Sequence, residues 1–209
     1  MNIIDKMNWR YACKSFDSTK KVSKEDLNKI LESLRLSASS FGLQLWKFIV
    51  IENQKIQDSL VEHSWNQQQV AQASHVILFC RPKSIDDSFV DKYVADIAKT
   101  RGEEVESLKG YSDMMKGFIA RKDERAQGEW MKNQLYIALG NLLTTAAIMD
   151  IDTCAMEGII PSKWDEVLGL ADKNLTSVVA CPIGFRSSDD KYASTAKVRF
   201  PMEDVVEFI

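Results

Sequence analysis

Histidine is scarce: the 209 residues include only His63 and His75. No H-E-x-x-H, paired-cysteine zinc pattern, P-loop, G-x-S-x-G or G-x-G-x-x-G occurs. Motif-borne zinc hydrolysis, nucleotide hydrolysis and nucleophile-elbow chemistry therefore have no support, and no metal site is expected. His75 opens an apolar run and is read as a bonded structural residue. The four cysteines, Cys13, Cys80, Cys154 and Cys181, are widely spaced with no C-x-x-C. They read as reduced, mostly buried thiols of a cytoplasmic protein. Basic residues are not in excess: 27 stand against 30 acidic ones, for a net charge of -3. That excludes a broad nucleic-acid surface but not a local cationic pocket. There is no secretory n-region with an apolar h-region and no apolar run of about 18 residues, so no membrane partner is expected. Nine glycines and four prolines leave no candidate linker, and one domain spanning 1–209 is the simplest organisation. A chain so short of acid/base groups suits chemistry carried by a cofactor, which the protein binds, orients and tunes.

Three runs read as strands: "WKFIVIE" (Trp46 to Glu52), "HVILFCR" (His75 to Arg81) and "TSVVACPIG" (Thr176 to Gly184). Their continuity in apolar residues predicts burial on both faces. A shorter strand is expected in "DTCAMEG" (Asp152 to Gly158). Residues 2 to 12 read as a short helix burying Ile3, Ile4 and Met7. Ser23 and Asp26 form a capping box ahead of Leu27, Ile30, Leu31 and Leu34 at helical spacing. Glu129 to Asp150 is the strongest helix, apolar on nearly every side in its last four turns. Such a helix is central in a core or covered by another subunit. Ser162 with Asp165 predicts one more capped helix. Residues 100–127, highly charged with scattered Met and Phe, predict a helical excursion. Helices around a mostly buried sheet make the fold class α+β.

Three pieces carry candidate chemistry. Arg10 and Lys14 are i and i+4, which on a helix would share one face. Lys197 and Arg199, i and i+2 in "TAKVRFP", project to one side of an extended segment, and Pro201 disfavours helix at Phe200. "SASSFGLQLWKF" offers hydroxyl and backbone donors at Ser37, Ser39 and Ser40. Each piece alone also fits a plainer role: a solvated charge pair, a charged tail, a helix C-terminus and loop.

Taken together, these pieces resemble the nitroreductase family of FMN-dependent NAD(P)H oxidoreductases. "RYACKSFD" resembles the family's R-x-x-x-K-x-F-D opening, and "SASSFGLQLWKFIV" its S-x-x-S-x-x-x-Q-P-W-x-F-x-V segment. "EWMKNQLYIALGNLLTTAA" resembles its long central helix. "AMEGI" and "KVRFP" resemble its ring-contacting turn and its C-terminal phosphate site. Order and spacing match over essentially the whole chain, and the oxygen-insensitive nitroreductase/dihydropteridine reductase type is the nearest subgroup.

The resemblance implies a central mixed, mostly antiparallel sheet flanked by helices in an intertwined homodimer, with a dimer-exchange tail at about 200–209. It implies non-covalent FMN, with NADH or NADPH as donor and nitroaromatics or quinones as acceptors. Arg10, Lys197 and Arg199 would hold the phosphate, with Tyr11 and Ala12 in the same cofactor-binding segment. Lys14 would sit at the flavin N1 and O2 edge, favouring the reduced ring. Ser39 and Ser40 would reach the partner's flavin, and Asn66 the pyrimidine edge. Backbone N–H groups of Glu157 and Gly158 would face N5 and O4. Phe41, Met114, Met115 and Phe118 are candidates for lining the open face, and equally for ordinary packing. Three positions depart from the pattern: Ala12 where relatives often carry Ser, Leu45 for the usual Pro, and Gln69 for a second Lys near O2. Asn66, Gln67 and Gln68 also fit a plain polar helix start. Dihydropteridine reduction, reductive dehalogenation, flavin fragmentation and non-catalytic flavin binding remain open alternatives.

Overall fold

The computed structural model describes residues 2–209. Four strands, β1 (Lys47–Ile51), β2 (His75–Pro82), β3 (Asp152–Thr153) and β4 (Leu175–Gly184), form one sheet in the order β1-β2-β4-β3. All three pairings are antiparallel. The mixed character expected of the sheet is reduced to one isolated parallel bridge, Ala12 to Thr153. The helices are α1 (Ile3–Trp9), α2 (Lys24–Arg35), α3 (Gln54–Leu60), α4 (Gln69–Gln72), α5 (Asp87–Arg101), α6 (Lys109–Ala120), α7 (Glu124–Ile148), α8 (Pro161–Val167) and α9 (Met202–Val205).

Side-chain alternation along β2 divides the core. Val76, Leu78 and Cys80 join Leu60, Val70 and Trp164 on one face; Ile77 and Phe79 join Ile30, Leu34, Leu135 and Leu142 on the other. Burial on both faces explains the unbroken apolar run, and each such side chain contributes about 1.5–3 kcal/mol. A third cluster unites Leu43, Leu45, Val90, Val94, Met115, Ile119 and Met131. All four cysteines are free and buried. His75 is also buried, its Nδ1 2.9 Å from Ser74 Oγ. Among the described residues no helix is long and apolar enough to cross a membrane, and no group of His, Cys, Asp and Glu could hold a metal.

The Ser23 cap forms as the sequence predicts, accepting from the Asp26 N–H at 3.0 Å. Other expectations change. Helix α1 stops at Trp9, and Ile3, Ile4 and Met7 are exposed rather than buried. Helix α7 begins five residues earlier than its apolar pattern, because Asp123 caps it through the Ala126 N–H (2.7 Å). Helix α2 and the sheet cover most of its apolar side chains, leaving Ile137 and Ile148 exposed. The expected Ser162–Asp165 box does not form. Pro161 starts α8 directly, a position its fixed φ and missing N–H suit. Asp165 instead accepts from the Ser177 N–H and the Thr176 hydroxyl, both at 2.8 Å. The excursion is a packed lobe that begins earlier than 100, with α5, and continues into α6.

Candidate functional site

Arg10 is the residue after α1, already extended at φ -70° and ψ 141°. Its N–H still reaches back to Lys6 O at 3.0 Å, closing the helix. Ala12 then bridges Thr153, and the Cys13 N–H donates to Thr153 O at 3.0 Å. Arg10 and Lys14 therefore do not share a helix face, as their spacing had suggested. An extended chain repeats every two residues, so an i, i+4 pair can still face one way, now up to about 13 Å apart.

Both residues line a cleft of about 390 Å³ whose opposite wall is the segment Tyr192 to Arg199. Tyr11, Ala12, Lys197 and Arg199 line it too. Lys197 Nζ donates to Met7 O at 2.5 Å and to Arg10 O, and Arg199 Nη1 donates to Val198 O at 2.6 Å. Among the described residues no carboxylate pairs with Arg10, Lys14, Lys197 or Arg199. Burial and then repulsion from Arg199 lower the pKa of Arg10. Burial, then Arg10 and Arg199, lower that of Lys197. Arg10 Nε is buried without a hydrogen-bond partner. Mutually repelling cations and an orphaned guanidinium nitrogen fit a multivalent anion such as a phosphate monoester.

A second group adjoins the first through Cys154. Lys14 Nζ lies 3.9 Å from its Sγ. Burial raises the thiol's pKa; Lys14 and the Gln69 side chain oppose that rise. Gln69 itself is 6% exposed. Three residues beyond Cys154, the Glu157 carboxylate accepts from the Tyr136 hydroxyl. The Gly158 carbonyl accepts from Gln67 Nε2 at 3.2 Å, and the Ile160 N–H donates to His63 O at 2.8 Å. These bonds draw the 63–67 segment, with Asn66 at φ 59°, onto the Glu157–Gly158 turn. A Cβ on Gly158 would sit 2.6 Å from Gln67 Nε2 and 2.9 Å from the Trp65 ring, so a larger residue here would push these two side chains off the turn.

The third group stands on the α5–α6 lobe. Ser39 Oγ accepts from the Gln44 N–H (3.0 Å), and the Ser40 N–H donates to Gln134 Oε1 (2.8 Å). Neither serine lines the cation cleft of its own chain. Phe41 holds φ 57°, a costly value for a bulky residue. The hydroxyls of Tyr93 (3.0 Å) and Tyr111 (2.9 Å) pin its carbonyl. Its ring packs on Phe118 with centroids 5.1 Å apart. Met114 is exposed, whereas Met115 is fully buried in the third core cluster. Met115 therefore packs the lobe rather than lining an open face. The two methionines are adjacent in sequence, and helical geometry sends them to different sides.

Trp65, Tyr136 and Tyr192 were not singled out from sequence, and Gln67 only as part of a polar helix start. Tyr192 sits in a polar stretch that reads as an ordinary turn, and the others contact the site only through tertiary packing.

The nitroreductase family sequence model matches residues 7–185. A Staphylococcus haemolyticus protein named as a candidate NAD(P)H nitroreductase is 36% identical over 217 residues, covering 99% of this chain and 97% of that protein. Among solved structures, a candidate NAD(P)H:FMN oxidoreductase of Staphylococcus epidermidis superposes with a TM-score of 0.87 at 18% identity, covering 100% of this chain and 96% of that one. A candidate nitroreductase of Exiguobacterium sibiricum, solved in complex with FMN, gives 0.84 at 22% identity, covering 100% and 98%. Family match and fold agree over nearly the whole length: the chain is an enzyme of the nitroreductase family, a family of oxidoreductases.

Proposed function

We propose that the chain binds FMN non-covalently and uses NADH or NADPH to reduce nitroaromatics, quinones or related acceptors by a ping-pong route. The orphaned Arg10 Nε beside Lys197 and Arg199, with no acidic partner among the described residues, is the observation that carries this reading. The cluster suits one phosphate, and the chain lacks a dinucleotide fingerprint, which favours FMN over FAD. When bound, FMN would supply the chemistry: hydride uptake from a nicotinamide and electron delivery to the acceptor. Arg10, Lys197 and Arg199 would anchor the phosphate, with Arg geometry suited to bidentate contact. Lys14 and Gln69 would face the pyrimidine end of the ring with Asn66, and the Glu157 and Gly158 N–H groups its N5 side. A positive Lys14 there stabilises negative charge on the ring. Phe41, Met114 and Phe118 would border the face that acceptors approach.

The working unit in this reading is a homodimer in the cytoplasm, with Ser39 and Ser40 reaching the partner's flavin. Exposed Ile3, Ile4 and Met7 support it, as a monomer seldom leaves such side chains together in water. The test is the visible spectrum of the purified protein, acid release with chromatography, and anaerobic addition of each nicotinamide. A yellow protein that releases FMN and bleaches is expected. FAD, or a colourless protein that refuses FMN, overturns the cofactor assignment. Flavin that neither NADH nor NADPH bleaches overturns the activity and leaves a flavin-binding protein.

A further inference from the structure

Asp190 lies beneath the cation cleft, 5% exposed, in the turn after β4. Its Oδ2 accepts from the Lys14 N–H (2.8 Å), the Tyr11 hydroxyl (2.9 Å) and the Ser15 N–H (3.2 Å), with the Cys13 thiol at 3.5 Å. Its Oδ1 accepts from the Tyr192 N–H at 3.0 Å. One carboxylate thus takes donors from both walls: the segment bearing Arg10 and Lys14, and the segment running from Tyr192 to Lys197 and Arg199. It pairs with none of the four cations, so it joins the walls without consuming the charge an anion needs.

We propose that Asp190 is a positioning residue for phosphate recognition, a buried carboxylate that sets the spacing between the two cationic walls; this rests on the cleft being the FMN phosphate site. Only an ionised carboxylate accepts on both oxygens from the three N–H groups and the Tyr11 hydroxyl. An asparagine presents one oxygen, and its NH₂ group would confront donors on one wall or the other. Burial works against ionisation, but the Tyr192 and Lys14 N–H groups, the Tyr11 hydroxyl and the Ser15 N–H together hold the carboxyl below the usual aspartate value. The Arg186 guanidinium lies over the Tyr11 ring, 4.6 Å from its centroid, and is bound to Asp152, so its charge is already matched. Asp190 reaches no cleft surface and touches no reacting atom; it acts through the residues it holds.

The test compares the full-length wild-type chain, Asp190→Asn and Asp165→Asn. Asp165 is a matched control, a carboxylate accepting one N–H and one hydroxyl at the far end of β4. Each protein is titrated with FMN and with riboflavin, which lacks the phosphate. Asp190→Asn should cut the preference for FMN over riboflavin about tenfold or more, as expected when bonds to a charged acceptor are lost. Asp165→Asn should keep the wild-type preference even if both affinities fall. A general loss of stability lowers both ligands alike, so an unchanged preference in Asp190→Asn overturns the proposal. Hydrogen exchange on the flavin-free proteins is the second readout. Residues 10–15 and 192–199 should both exchange faster in Asp190→Asn and not in Asp165→Asn. Unchanged exchange in either wall overturns the clamp. If the wild-type chain takes no FMN, the cofactor assignment fails, and exchange alone decides whether Asp190 joins the walls. Should Asp190→Asn fail to fold, Tyr11→Phe removes one donor and should lower the preference by a smaller factor; no change there refutes the role.

Discussion

Lys197 Nζ donates to the main-chain carbonyl of Arg10, and with it to the Met7 carbonyl at the end of α1. One cation of the cleft therefore fixes the backbone that carries another. Removing Arg10 deletes a half-buried guanidinium whose buried Nε has no partner among the described residues to lose. We expect Arg10→Ala and Arg199→Ala each to weaken FMN binding by about ten- to a hundredfold, the range for hydrogen bonds to a charged group. Lys14→Ala should cost less, because Lys14 lies toward Cys154 rather than toward the Lys197–Arg199 wall. Fluorescence quenching of FMN added to flavin-free protein gives the three constants. Equal losses, or the largest loss at Lys14, would mean the phosphate and ring ends have been exchanged.

Alkaline pH should release the flavin early. Lys197 already sits below the ordinary lysine value of 10.5, through burial and then the repulsion of Arg10 and Arg199. A dianionic phosphate favours the protonated amine, so affinity falls as pH rises through the lowered pKa of the flavin-free protein. The effect on folding has the opposite sign. Between the lowered value and 10.5 the folded, flavin-free chain binds fewer protons than the unfolded one, so this group makes folding more favourable as pH rises. Flavin loss in that window is thus not unfolding caused by Lys197. Lys197→Arg should move release to higher pH, read as free-FMN fluorescence against a circular-dichroism control. Release at the same pH in both proteins would assign the titration to another group.

Gln69 sets a third expectation. It lies buried beside Cys154, the thiol that Lys14 also approaches. Gln69→Lys adds a positive charge where the reduced ring would hold negative charge, so the midpoint potential should rise. The same lysine is buried next to Lys14, so thermal stability should fall. Dye-coupled potentiometry and melting curves measure the two effects. A potential that stays put or falls would show that residue 69 does not face the ring.

The strands β2 and β4 were legible because burial on both faces leaves them almost wholly apolar, and α2 because its cap and stripe agree. Helix α5 was not. Its apolar positions, Val90, Val94, Ile97 and Ala98, are interleaved with charge, and it packs on a lobe rather than on the sheet. Arg10 and Lys14 line one cleft without sharing a helix face, since i and i+4 can share a side in both a helix and an extended chain. Met115 looked like Met114 because sequence alone did not say which side of α6 the lobe covers. Asp190 was invisible for a different reason. Within "RSSDDKYAS" an aspartate reads as a solvated turn residue, and only the return of Tyr11 to Ser15 beneath it makes it a buried acceptor.

The last expectation concerns the chain end. Past the cation cleft, Phe200, Val205, Phe208 and Ile209 are exposed, and only the short α9 organises the segment. At the other terminus Ile3, Ile4 and Met7 are exposed on α1, which packs on α7 where Met7 meets Thr144. Helix α7 is mostly covered by its own chain, so the case for a partner rests on α1 and the tail rather than on α7 alone. A twofold dimer would bury these side chains on both copies at once. An extended tail could also place its unpaired N–H and C=O groups on a partner's sheet edge. Because the tail continues directly from Lys197 and Arg199, anchoring it would also steady the phosphate wall. Deleting Val205 to Ile209 should therefore shift the protein toward monomer and lower its flavin content together. Light scattering combined with flavin absorbance reads both on one sample. A truncated chain that stays dimeric and fully loaded would remove the tail from the interface, and a stable, fully loaded monomer of the intact chain would refute the dimer itself.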